Sequence, residues 1–244
     1  MVLLKGKNIL VTGGSRGIGK AIVETSVENG AVAGFTYLNS EKKSRELEKK
    51  LGDSCIALKA DSADRNELEG AVFRFLENVS SNQIDGLVIN AGVYKRSPFS
   101  EMELEDWKKT LEVNLDGAYN TVKAALPSMK KGSIVMVSSQ LAFKGSSYGA
   151  DYAASKAGML GMARSLAREL APYIRVNSIA PGYVDTDILA GDSPEKRKKR
   201  ISQVPLGRIA SPVDIAGPVV FLLSDMSEYV TGATLDINGG LFIH

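Results

Sequence analysis

Seven short apolar runs punctuate the chain, and longer amphipathic stretches separate most of them, the order expected of a parallel sheet buried under helices on both faces. The strand candidates are Asn8 to Val11, Val32 to Tyr37, Ile56 to Lys59, Leu87 to Asn90, Ile134 to Val137, Val176 to Ile179 and Leu235 to Ile237. Apolar residues recur with helical spacing in Gly17 to Glu28, Asn66 to Val79, Glu105 to Leu126, Ala153 to Leu170 and Val213 to Leu223, which predicts helices there. No repeat, low-complexity tract or Pro/Gly/Ser linker divides the sequence. The expectation is a single-domain doubly wound α/β (Rossmann) fold over 1–244 with a seven-stranded parallel sheet, and 244 residues suffice for a substantial core. Leu189 to Val204 is weakly patterned, and the stretch around 188–205 reads as a substrate lid.

Charge and composition exclude more than they assign. Thirty basic against 28 acidic residues leave a net charge of +2, too small to mark nucleic acid or an anionic membrane as a partner. No apolar run is long enough to cross a bilayer, and Met1 to Val11 lacks the basic-then-apolar pattern of an export signal. The lone Cys55, within Cys55-Ile56-Ala57-Leu58, excludes an internal disulfide and reads as a buried thiol. A soluble cytoplasmic protein is therefore expected. The only histidine, His244, ends the chain, so neither histidine catalysis nor a His-rich metal site is supported.

The run Thr12-Gly13-Gly14-Ser15-Arg16-Gly17-Ile18-Gly19 follows the first strand and opens the first helix, the setting of a dinucleotide-binding turn. Gly13 permits the tight turn, Gly17 lets backbone approach a pyrophosphate and Gly19 lets helix and strand pack closely, with Ser15 and Ile18 in the same anion-facing turn. Sites for NAD usually place an acid at the end of the second strand to bind the ribose 2′-OH. Here that region reads Thr36-Tyr37-Leu38-Asn39-Ser40, with no acid before Glu41, and Arg16 offers a guanidinium for a 2′-phosphate. NADP(H) is expected over NAD(H), with Tyr37 and Asn39 beside the adenosine. Asp61-Ser62 and Asn90-Ala91-Gly92 follow the third and fourth strands, at the sheet edge where such folds bind ligands. Asp61 suits an adenine amino group, and the small Ala91 and Gly92 leave room for a ribose.

The second half of the chain carries the chemistry. Tyr152 and Lys156 stand four apart at a helix start, so both project from one face. A free tyrosine titrates near about 10, and an adjacent ammonium is expected to lower that value and make Tyr152 a usable acid and base. Ser139 ends the fifth strand, where its hydroxyl is suited to hold a substrate oxygen. Asn114, in the preceding helix, is expected to hold through its amide a water that connects Lys156 to solvent. An isolated Tyr-x3-Lys pair is an ordinary surface feature, and the joint pattern is what makes it chemical.

With those residues in place the chain resembles the short-chain dehydrogenase/reductase family from about Leu4 to Gly240. The resemblance implies that Gly13, Gly17 and Gly19 bind the dinucleotide, that Asn90 to Gly92 support the central sheet, and that Asn114, Ser139, Tyr152 and Lys156 form a catalytic tetrad. Pro181-Gly182, with Val184 and Thr186, is similar to the family segment that contacts the nicotinamide amide. Ile89 replaces a second Asn found in many members, a change expected to affect sheet packing. Within the family the chain looks most like 3-oxoacyl-acyl-carrier-protein reductases, through Thr12 to Gly19, Pro205-Leu206-Gly207-Arg208 and the ending around Val230 to Gly240. Those segments recur in sugar and polyol dehydrogenases, which stay open as the alternative. The family also implies a homotetramer packed through Glu105 to Leu126 and Ala153 to Leu170, with small residues Ala157, Gly158, Gly161 and Ala163 permitting close approach.

Partners are read from what remains. Glu169 to Arg175 runs one residue short of typical carrier-protein reductases and lacks the Arg that docks the acidic carrier, while Lys130 and Lys131 remain as a possible acyl carrier protein patch. The basic run Lys196-Arg197-Lys198-Lys199-Arg200, after the helix start Ser193-Pro194-Glu195, reads as a solvated face of the lid and, without aromatics, not as a nucleic-acid surface. Tyr94, Gln140, Tyr148 and Tyr183 are candidates to shape a substrate pocket for a small molecule or acyl thioester. A dinucleotide-sensing protein without catalysis is the rival from another class, because fold alone does not establish function.

Overall fold

The computed structural model describes residues 2–243, so Met1 and the lone histidine His244 lie outside the described residues. All seven expected strands form: β1 (Asn8–Val11), β2 (Val32–Tyr37), β3 (Cys55–Lys59), β4 (Gly86–Ile89), β5 (Gly132–Val137), β6 (Ile174–Pro181) and β7 (Thr234–Ile237). They build one parallel sheet in the order β3-β2-β1-β4-β5-β6-β7. The chain turns outward from β1 to β3, then crosses back to lay β4 against the other side of β1. That reversal opens a crevice at the C-terminal ends of β1 and β4.

The helices are α1 (Gly17–Glu28), α2 (Glu41–Leu51), α3 (Arg65–Glu77), α4 (Leu104–Leu111), α5 (Gly117–Ala125), the single-turn α6 (Leu141–Lys144), α7 (Ala150–Glu169), α8 (Pro194–Gln203) and α9 (Pro212–Leu223). Strand residues alternate between two cores, as period-two geometry requires. Ile9, Val11, Val88, Val135 and Val137 join α1, α2 and α9 on one face. Leu10, Leu87, Ile89, Ile134 and Met136 join α3, α5 and α7 on the other, and Ile89 is thus a packing residue.

Two expectations change. Glu105 to Leu126 is not one helix, because a π-helical turn at Glu112–Asp116 separates α4 from α5. The apolar period continues through the widened turn, so periodicity alone does not reveal it. Of the small residues on α7, Ala157 and Gly161 face outward, Gly158 meets Leu115, and Ala163 belongs to the core. Cys55 is buried as expected, and loss of solvent pushes its thiol up to about 12. No helix among the described residues is long and apolar enough to cross a membrane.

Candidate active site

The crevice floor is built by three residues at strand ends. Thr12 Oγ1 accepts from the backbone N–H of Asn90 and Ala91 at 3.1 and 3.2 Å, and Asn90 Nδ2 donates to the carbonyls of Thr12 and Gly13 at 3.0 Å each. The glycine turn is thereby tied to the end of β4. Gly13 adopts φ +66°, and a Cβ at Gly19 would stand 2.3 Å from the Gly13 carbonyl oxygen, so neither position accepts an ordinary side chain. No side chain caps α1 and its first turn holds no acid, which leaves amides of that turn open to an anion.

One cleft collects most of the sequence candidates: Gly13, Ser15, Arg16, Gly17, Ile18 and Gly19; Tyr37 and Asn39; Asp61 and Ser62; Asn90, Ala91 and Gly92; Ser139, Tyr152 and Lys156; Pro181, Gly182 and Thr186. Val184 does not line it; its side chain is buried in the core, so only its backbone is placed to serve a ligand there. Asp61 lines the cleft, but its Oδ1 accepts from Ala63 N–H at 2.9 Å, while Asp64 caps α3. Arg16 Nη1 meets Asp187 Oδ2 at 2.8 Å, an exposed ion pair that bridges the glycine turn to the segment after β6. A neighbouring hollow is lined by Arg16, Lys20, Lys43 and Lys50.

At the other end of the cleft α7 delivers the titrating pair. Lys156 is buried and its Nζ donates to the Val137 carbonyl at 2.8 Å, while Ser138 Oγ donates to the Lys156 carbonyl at 2.9 Å and locks α7 to the end of β5. Lys156 Nζ lies 5.8 Å from the centre of the Tyr152 ring. Burial pushes Lys156 down to about 8. Burial also pushes Tyr152 up to about 12, only partly offset by a hydrogen bond with Ser139, and Tyr94 pushes it further up. The expected lowering of Tyr152 is therefore corrected: desolvation sets the direction of its shift, and that direction is upward.

Asn114 braces the site from behind. Fully buried within the π-helical turn, its Oδ1 accepts from Val93 N–H at 2.7 Å, and its Nδ2 donates to Val93 O at 3.0 Å and Ser155 Oγ at 3.1 Å. The amide fastens the β4 loop to α7, and its Oδ1 keeps one acceptor position beyond the Val93 N–H. The stretch 188–205 contains α8, and Asp192 just before it accepts from Arg96, Lys196 and Arg200. Those cations hold the Asp192 carboxyl far below the usual carboxylate range. Sequence reading quoted Thr12 without giving it a role and passed over Ser138 and Asp192, whose signals were a hydroxyl at a strand end and an acid just before a basic run. Among the described residues there is no cluster of three metal-ligating side chains.

Comparisons with known proteins agree with this geometry. The family model described as enoyl-(acyl carrier protein) reductase matches residues 13–242. An L-rhamnose 1-dehydrogenase (NAD(P)(+)) of Azotobacter vinelandii is 41% identical over 100% of this chain and 99% of its own. A 3-oxoacyl-[acyl-carrier-protein] reductase of Aquifex aeolicus is 38% identical over 99% of each. Among solved structures, a short-chain dehydrogenase/reductase described as glucose/ribitol dehydrogenase from Brucella melitensis superposes with TM-score 0.95 at 35% identity over 100% of both chains. A blue fluorescent protein from a metagenomic library, in complex with NADPH, gives 0.91 at 36% identity over 98% of this chain and 99% of that one.

Proposed function

The chain belongs to the short-chain dehydrogenase/reductase family of oxidoreductases acting on CH–OH and C=O groups, and we propose that it interconverts a carbonyl and a secondary alcohol with NADP(H), Tyr152 exchanging the proton. The observation that carries this reading is that Ser139, Tyr152 and Lys156 line the same cleft as the glycine turn. The cleft fits a nicotinamide dinucleotide: open helix amides meet a diphosphate, and backbone packed too closely for a Cβ lets it approach. When bound, that cofactor supplies or accepts hydride at the reacting carbon.

The chain's own groups do the rest. Tyr152 gives its proton to the substrate oxygen in reduction and takes it back in oxidation. Ser139 Oγ orients that oxygen, and Lys156, with donor capacity left beyond Val137, holds the ribose and tunes the phenol. Asn114 positions α7, and the open acceptor position on its Oδ1 serves the water that connects Lys156 to solvent. Gly13, Ser15, Gly17, Ile18 and Gly19 hold the diphosphate, Tyr37, Asn39, Asp61 and Ser62 the adenosine, and Asn90 to Gly92 a ribose. Pro181, Gly182, Thr186 and the Val184 backbone hold the nicotinamide end. The absence of an acid at the end of β2 and the cations Arg16 and Lys43 support NADP(H).

The substrate reading is a 3-oxoacyl thioester, on an acyl carrier protein or free, and the rhamnose dehydrogenase likeness supports a sugar as the second reading. The reading further includes one domain over 1–244, a lid at 188–205, and a cytoplasmic homotetramer using the outward Ala157 and Gly161 of α7. Following NADPH absorbance with acetoacetyl-CoA, and NADP⁺ reduction with L-rhamnose and other aldoses, separates these substrates. Tight cofactor binding with no turnover of any would favour the sensor. Tyr152→Phe is expected to keep cofactor binding and lose on the order of a thousandfold in turnover; near-normal turnover refutes the assigned acid.

A further inference from the structure

Tyr94 sits beside the cleft where three separate parts of the chain meet. Its ring packs on that of Tyr152, with centres 4.5 Å apart at 37°. The Arg96 guanidinium lies over its ring, 5.9 Å from the centre. Arg96 Nη1 in turn reaches Asp192 Oδ1 at 3.3 Å, and Asp192 also gathers Lys196 and Arg200 from the lid helix α8. The Tyr94 hydroxyl donates to the Tyr148 carbonyl at 3.3 Å and lies 3.4 Å from Ser146 Oγ. A Cβ at residue 149 would stand 2.5 Å from Tyr94 Cε2, so the glycine just before α7 leaves the space this ring occupies.

We propose that Tyr94 is a positioning residue that couples the lid's charge cluster at Asp192 to the ring of Tyr152. Tyr152 is only partly buried, in the first turn of α7, and one face of its ring rests on Tyr94. Stacking of this kind fixes a ring's angle through contact and quadrupole, and a guanidinium over the outer ring adds a cation–π attraction. Since Arg96 is held by a carboxylate next to α8, a lid out of place withdraws the cation and loosens the stack. The phenol is then correctly aimed only when the lid is seated. Proton transfer depends steeply on such aim.

This inference rests on reading Tyr152 as the proton donor, and the test keeps the two apart. Protein labelled with 3-fluorotyrosine gives a fluorine signal for Tyr152, assigned by its loss in Tyr152→Phe. Arg96→Met and Gly149→Ala, neither of which alters Tyr152 or Tyr94, are expected to move that signal in the NADPH-bound protein with melting temperature retained. Turnover is followed with acetoacetyl-CoA and NADPH and with L-rhamnose and NADP⁺. Tyr94→Leu is expected to lower kcat on the order of tenfold with KM little changed, Tyr94→Phe to restore most of it, and Gly149→Ala to add nothing to Tyr94→Leu. A Tyr152 signal unmoved in both Arg96→Met and Gly149→Ala overturns the coupling, as does wild-type kcat in Tyr94→Leu. If neither substrate turns over, the fluorine signals decide alone. Turnover retained in Tyr152→Phe would instead overturn the proton-donor reading.

Discussion

Lys156→Met should make the protein inactive and, at neutral pH, more stable. Lys156 is buried, and desolvation takes its ammonium from 10.5 to about 8. At about 1.4 kcal/mol per pH unit, carrying that charge in the fold at pH 7 costs about 3 kcal/mol. Methionine fills a similar volume without the charge but leaves the Val137 carbonyl short of one partner, a loss of about 1 kcal/mol. The net gain is about 2 kcal/mol, or about 4–8 °C in Tm for a chain of this size. Its sign has a pH signature. The folded state binds this proton more weakly than the unfolded state, so the wild-type penalty is complete below about 8 and fades as pH rises toward 10.5. The advantage of the variant therefore shrinks above pH 8, is gone near about pH 10 and reverses beyond it, where the lost bond to Val137 is all that differs. Paired thermal melts of cofactor-stripped wild type and variant at pH 7 and pH 10 check both parts. A variant that melts lower at pH 7, or a difference that ignores pH, refutes the assigned burial of charge.

Gly19→Ala should retain the fold but weaken NADPH binding by about tenfold or more, because the added methyl must push aside the Gly13 carbonyl and the Asn90 amide, which stand 2.3 and 2.5 Å from its position; a fluorescence titration matching wild type refutes that. Arg16→Met should weaken NADPH by about tenfold while leaving NADH nearly unchanged, the difference being the charge-assisted bonds to a 2′-phosphate. Equal losses for both cofactors in parallel titrations would assign Arg16 to its Asp187 pair instead.

The sheet was legible because burial on both faces forces each strand into a short apolar run, and a run such as Val32 to Tyr37 has no other stable use in a chain of this pattern. The glycine turn was legible because its motif stands between a strand and a helix, although the groups that exclude a Cβ there, on Phe35, Asn90, Ala91 and Thr186, are distant in sequence. What escaped is set by distant partners. Periodicity shows that Glu105 to Leu126 has one apolar face, yet not that Asn114 bridges Val93 and Ser155 from a widened turn. Likewise the spacing of Tyr152 and Lys156 puts them on one side of α7, but which carbonyl the ammonium meets is decided by β5. Asp192 hid for the same reason: its partner Arg96 lies 96 positions upstream.

The two titrating groups of the cleft are displaced in opposite directions by one cause. Burial raises the Tyr152 phenol to about 12 and lowers the Lys156 ammonium to about 8, so each is biased toward its neutral form. A phenol at about 12 is a reluctant base at neutral pH, and Lys156, 5.8 Å from the ring centre with donor capacity beyond Val137, is the cation placed to tune it. The Arg96 guanidinium lies over the Tyr94 ring, which itself packs on Tyr152. The desolvation that biases phenol and ammonium toward their neutral forms also makes each charge in the cleft effective, since the same low dielectric strengthens both.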